Sequence, residues 1–153
     1  MTRIAAVAVA ALLLAAPGAT HAGNASASFT VSAKVSGACT ITAQDIALAA
    51  YDPNAATGAS ATGNVNLTCT KGTVYSVALT TTSGWTMSDG AGSTLNYEIR
   101  QGSTTTPWNA TSTVGGTAAS KAQFSLVATL FVPPGQDITV GNYSDKVTAT
   151  VNF

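Results

Sequence analysis

The sequence predicts an all-β fold, and three observations support this class. Apolar residues alternate with polar residues over many short segments, a period of two that is typical of strands with one buried face. Turn-forming residues separate these segments, among them Lys71-Gly72, Ser88-Asp89-Gly90 and Pro133-Pro134-Gly135. Threonine is abundant and favours strands, whereas the frequent glycines are poor in helices. Short strands with frequent turns favour a sandwich or a barrel.

Six alternating rows are the expected strands. In chain order they are residues 29–35, 65–69, 75–79, 95–99, 124–130 and 147–153. Gly115-Gly116 is interpreted as a turn, and residues 55–62 as a loop. Residues 43–50 have a helix-like composition but are too few for a stable helix, so we expect an extended segment or one loose turn.

The first residues have the order of a secretory signal peptide. Arg3 is basic, residues 4–16 are apolar, and Ala22 follows Thr20-His21 at the expected cleavage site. The apolar run is too short to span a bilayer, because a spanning helix needs about 20 residues. We therefore expect residues 1–22 to be removed on export, which leaves a mature chain of residues 23–153 with no membrane insertion.

The composition of the mature chain argues against several functions. It has five basic and six acidic residues, a net charge of −1, and no histidine, since His21 lies in the signal peptide. Nucleic acid is therefore not an expected partner. Neither a Ser-His-Asp triad nor a histidine metal site can form. The carboxylates are scattered and the glycines lie in turns, so we expect neither an enzyme nor a cofactor.

Cys39 and Cys69 are the only cysteines. In an exported protein an isolated pair is expected to form a disulfide. A metal site would need more ligands, and a redox pair would need closer spacing. Closing a loop of this length stabilises a domain by about 3 to 4 kcal/mol in the chain-entropy picture.

Trp85 and Trp108 are the candidates for stacking against a sugar, because each lies beside turn-forming residues. The alternative interpretation places both in the core or at its rim, and we favour it.

The two ends of the mature chain carry the most informative pattern. Phe29, Val31, Ala33 and Val35 form an apolar row near the N-terminus, where chains are usually disordered unless something holds them. This row is either the first strand of its own domain or a strand donated to a neighbour, whose open sheet edge it would complete. The C-terminal row would then border the open edge; it consists of Val147, Ala149, Val151 and Phe153.

An ordered set of segments resembles a known family. The segments are residues 29–35, Gly37-Ala38-Cys39-Thr40-Ile41, residues 48–52, 63–79 and 95–99, Trp108 and residues 141–153. Together they resemble the spore coat protein U, or Csu-type, pilin domain of archaic chaperone-usher fimbriae, over essentially the whole mature chain.

The resemblance implies an incomplete immunoglobulin-like β-sandwich that lacks its final strand. It assigns residues 23–36 to a donor strand and residues 37–153 to the pilin domain, with a Cys39–Cys69 disulfide. The expected partners are other pilin subunits, identical or related, a periplasmic chaperone that lends a strand to the C-terminal row, and an outer-membrane usher.

The function implied is that of a structural subunit of a surface pilus that supports adhesion or biofilm formation. The expected location is the cell surface, reached through the periplasm. Two alternatives remain open: a monomeric secreted carbohydrate-binding sandwich, and a structural protein of a spore or cyst coat.

Overall fold

The structure is a computed structural model that describes residues 22–153. The predicted signal peptide therefore lies outside the described residues except for Ala22. The chain divides into two units, Met1–Ala33 and Lys34–Phe153. The described part of the first unit, residues 22–33, has exposed side chains and contains no strand or helix.

Nine strands lie in the second unit. They are β1 (Cys39–Ala43), β2 (Ala59–Cys69), β3 (Val74–Thr81), β4 (Thr86–Ser88), β5 (Thr94–Asn96), β6 (Glu98–Gln101), β7 (Val114–Thr117), β8 (Phe124–Val132) and β9 (Val147–Asn152). The described residues contain no helix, and so none that could cross a membrane. The all-β prediction is confirmed.

Two antiparallel sheets form the body of this unit. The larger has the order β1-β2-β8-β6, the smaller has the order β7-β3-β9, and β4 and β5 form a separate ribbon. The inward-facing rows of β2, β3, β6 and β8 supply most of the core. Its buried members are Val65, Leu67, Cys69, Val77, Leu79, Leu95, Tyr97, Ile99, Trp108, Ala118, Ala128, Leu130 and Val132.

The predicted turns at Gly72, Gly90 and Gly135 are present, and all three glycines have positive φ angles, of 83°, 75° and 74°. This left-handed conformation is open to glycine at little cost.

Two local predictions were wrong. Gly115 and Gly116 lie within β7, where the missing side chains allow close approach to β3: a Cβ on Gly115 would lie 2.7 Å from the carbonyl oxygen of Tyr75. The expected loop over residues 55–62 ends early, because β2 begins at Ala59 and pairs with the far end of β8. Pairing with a long neighbouring strand outweighs a weak local signal.

Candidate interaction groove between two edge strands

The two sheets leave one side of the sandwich open. β1 is an edge of the larger sheet and β9 is an edge of the smaller one, and the two strands lie side by side. Among the described strands, β1 pairs with β2 alone and β9 with β3 alone. The outer edge of each strand therefore retains backbone groups available for pairing.

A groove of about 580 Å³ opens on this side of the domain. One wall consists of residues 43–51, which are the end of β1 and the segment after it. The other wall comes from residues 141–149, which are the segment before β9 and the start of that strand. Its floor consists of apolar core side chains, which are Val65, Leu79, Met87, Leu95, Ile99, Ala128 and Leu130. An apolar floor between two unpaired edges is suited to an extended apolar segment.

The first wall is anchored at both ends. The backbone nitrogen of Gln44 donates to the carbonyl of Asn64 at 3.0 Å. At the other end, the hydroxyl of Tyr51 donates to the carbonyl of Pro133 at 2.8 Å and accepts from the nitrogen of Gln136 at 3.1 Å. Residues 44–51 form no helix or strand. The sequence predicted an extended segment or one loose turn over residues 43–50, and Ala43 is the one residue of that range that belongs to a strand.

Ile46 packs from this wall onto the larger sheet. It is partly buried against the core, directly over Gly63 of β2. A Cβ on Gly63 would lie 2.6 Å from Cγ1 of Ile46, so the wall can lie this close only because position 63 has no side chain.

Asp145 organises the second wall. Oδ2 of Asp145 accepts hydrogen bonds from the hydroxyls of Thr81, Ser83 and Tyr97, at 2.6 Å from both Thr81 and Tyr97. Burial alone would raise the pKa of Asp145, but these hydrogen bonds outweigh it and hold the pKa below its usual value. The negative charge is therefore stabilised by donors from the end of β3 and from the core.

The predicted acceptor row lies on β9 and just beyond it. Val147 and Ala149 line the groove. Ala149 and Val151 pack against the core, whereas Val147 is 36% exposed and Phe153 is 62% exposed.

The predicted donor row is exposed throughout. Phe29, Val31 and Val35 are 87%, 83% and 81% exposed, and Ala33 is exposed as well. Within the described chain, residues 22–38 belong to no strand. Three large apolar side chains are therefore exposed to water on one face of a single segment. Exposed apolar patches of this kind are typical of interaction sites.

The disulfide is present. Cys39 is bonded to Cys69, and the two are direct neighbours across the β1–β2 pair. Of the described residues, no group of three His, Cys, Asp or Glu could hold a metal ion.

The two tryptophans occupy different environments. Trp108 is 0% exposed and its indole nitrogen donates to the carbonyl of Val77 at 2.8 Å, so it presents no face to a ligand and acts as a core residue. Trp85 is partly buried, with its ring edge-on to Tyr97, and lies beside a shallow pocket of about 230 Å³. The two residues therefore do not form a common site.

Sequence reasoning did not single out Tyr97, Asp145 and Ile46 as parts of a site. The alternation predicts the burial of Tyr97, but contacts among loops distant in sequence are not visible in local patterns.

Fold and groove define the class: an all-β, immunoglobulin-like sandwich with one disulfide and an open edge. The chain belongs to the Spore Coat Protein U domain family, which matches residues 25–150. The resemblance found in the sequence is thereby confirmed. Comparison with curated proteins finds no match.

A solved structure shares this fold. It is the CsuC-CsuE chaperone-tip adhesion subunit pre-assembly complex from the archaic chaperone-usher Csu pili of Acinetobacter baumannii, one chain of which is similar with a TM-score of 0.60 and 23% identity. The similarity covers 78% of the present chain and 40% of the other chain. At this identity the likeness shows the fold.

Proposed function

We propose that the chain is a structural subunit of a chaperone-usher surface pilus, and that it polymerises by donor-strand complementation. The observation that carries the proposal is the open groove beside β9, together with an exposed alternating apolar row at residues 29–35. Residues 23–36 of one subunit would enter the groove of the next and pair with β9 as an added strand.

The energetics favour insertion of this segment into the groove. Burying Phe29, Val31 and Val35 would contribute about 1.5 to 3 kcal/mol for each side chain, before the cost of ordering the segment. Main-chain hydrogen bonds to the unpaired edge of β9 would add to this. The floor of the groove and the row Phe29, Val31 and Val35 are both apolar. Contact between them removes apolar surface from water on both sides, which is favourable.

Membership of the family and the shared fold with a chain from a chaperone-subunit complex support the choice of partners. A periplasmic chaperone would occupy the groove before assembly, and an outer-membrane usher would exchange the chaperone for the next subunit. The product would be a fibre at the cell surface, made of identical or related subunits, that supports adhesion or biofilm formation. The function is binding rather than catalysis.

The two faces of the donor strand allow a matched test of donor-strand complementation. Phe29→Asp with Val31→Asp places two charges on the apolar face, whereas Thr30→Asp with Ser32→Asp places the same charges on the opposite face. In cells that also express the chaperone and usher, the first pair should abolish the ladder of polymers seen when unboiled surface extract is run on a gel. The second pair should retain the ladder.

Heating should collapse the ladder to monomer, since the link between subunits would be non-covalent. A ladder of normal intensity from the Phe29→Asp, Val31→Asp chain would contradict donor-strand complementation. Absence of a ladder from the unaltered chain would contradict polymerisation itself.

A further inference from the structure

The disulfide lies at the point where the N-terminal segment enters β1. Cys39 is the first residue of β1, and Cys69 is the last residue of β2. One residue earlier, the carbonyl of Ala38 accepts a hydrogen bond from the nitrogen of Thr70 at 2.8 Å. A hydrogen bond to Thr70 and a covalent bond to Cys69 therefore fasten two successive residues of the chain, Ala38 and Cys39, to the end of β2 and the residue after it.

β1, the strand that begins at Cys39, is weakly held. β1 has five residues and lies at the edge of its sheet, paired with β2 alone among the described strands. When tension acts on Cys39, the hydrogen bonds between β1 and β2 are the only backbone pairing of β1 among the described strands that can bear the load. Without a covalent bond at Cys39, β1 would be the first element to peel away.

β2, the strand at the other end of the disulfide, is held firmly. β2 lies between β1 and β8, and residues 59–67 pair with residues 124–132 of β8. Cys69 itself is buried in the core. Force delivered at Cys69 is therefore shared by the longest strand pair of the sandwich.

We propose that the Cys39–Cys69 disulfide is a mechanical clamp, through which tension in the N-terminal segment passes into β2 and bypasses the hydrogen bonds of β1. The inference rests on the proposed function, in which residues 23–36 of each subunit are held by its neighbour. Tension along the fibre would then pull on Gly37 and Ala38 in every subunit.

The clamp also limits how far a subunit can extend. The two cysteines are 30 residues apart in sequence, and the loop between them cannot lengthen while the bond is intact. At about 3.3 to 3.6 Å for each extended residue, the bond withholds roughly 100 Å from each unfolded subunit.

Single-molecule pulling tests the clamp without any fibre. The mature chain, residues 23–153, is held at its N-terminus and at an attachment residue that replaces the exposed Val127 on β8. The load then passes from Ala38 through β1 or the disulfide into β2 and β8. The unaltered chain is compared with the Cys39→Ala, Cys69→Ala chain and with the folded unaltered chain after reduction by dithiothreitol.

The oxidised chain should show no extension before the sandwich unfolds, and its final length should be shorter by about 100 Å. The two chains without the bond should show an additional early step at lower force, as β1 and the residues after it are released. Ile99→Ala is the control: it weakens the core at β6, keeps the disulfide, and should unfold at lower force without the early step.

If the chains with and without the bond begin to extend at the same force with the same first step, the clamp proposal is wrong. If the double substitution prevents folding, the comparison is made with the reduced unaltered chain instead. Because the assay uses a single chain, its outcome is separate from that of the polymer ladder, which tests the proposed function.

Discussion

The hydroxyl of Tyr97 donates a hydrogen bond to Oδ2 of Asp145, and the two oxygens are 2.6 Å apart. Tyr97 is a core residue between β5 and β6, whereas Asp145 lies in the loop that leads into β9. Burial, the hydrogen bond and the charge of Asp145 all raise the pKa of Tyr97, so it remains a neutral donor at physiological pH. The contact fixes one wall of the groove to the core.

Removing this acceptor should loosen the start of β9. We expect Asp145→Ala to lower the free energy of unfolding by about 1 to 3 kcal/mol, because three hydroxyl donors lose a charged acceptor. Tyr97→Phe removes one donor and keeps the ring, so it should cost less. Urea denaturation measures both. Equal stability of all three chains would show that the contact contributes nothing.

The same carboxylate should make stability depend on pH. The pKa of Asp145 is lower in the folded chain than in the unfolded chain, so its contribution is present above the unfolded value and is lost as the pH falls through the folded value. The stability difference between the unaltered chain and Asp145→Asn should therefore be present at pH 7 and shrink below about pH 4. A difference that is constant from pH 7 to pH 2 would contradict the assignment.

Close packing of Ile46 on Gly63 predicts a coupled pair. Gly63→Ala should destabilise the domain by about 1 to 3 kcal/mol, because the new Cβ would overlap Cγ1 of Ile46. In an Ile46→Ala background the same substitution should cost much less, since the overlapping atom is gone. A double-mutant cycle by urea denaturation measures this coupling, and strictly additive effects would contradict the contact.

The two tryptophans should differ in their effect on stability. Trp108→Ala leaves a cavity and removes the hydrogen bond to the carbonyl of Val77, so we expect a loss of about 3 to 5 kcal/mol. Trp85→Ala should cost less, because Trp85 is only partly buried. Thermal unfolding of the two variants side by side provides the comparison. A larger loss for Trp85 would reverse the assignment of core and rim.

Alternation predicted the strands best where both neighbours of a strand are present. Val65, Leu67 and Cys69 were expected to face the core and are buried. The row over residues 95–99 also faces the core, but the chain exchanges partners at Tyr97: β5 pairs with β4 and β6 pairs with β8. Side-chain alternation carries no information about such a change, because the apolar face stays the same.

The groove was predicted only in outline. The apolar row on β9 indicated an edge, and Val147 and Ala149 do line the groove. The opposite wall could not be predicted, because residues 44–51 have no regular period and are held by Tyr51 and Gly63, contacts between parts of the chain far apart in sequence. Local patterns specify which face of a strand is buried, and long-range contacts decide what lies over it.

A density map of assembled fibres at near-atomic resolution tests the central claim most directly. We predict that residues 23–36 of one subunit lie along β9 of the next as an added strand, with Phe29 and Val31 inside the groove. A fibre in which the outer edge of β9 is unpaired, or is covered by a segment of the same subunit, would contradict donor-strand complementation.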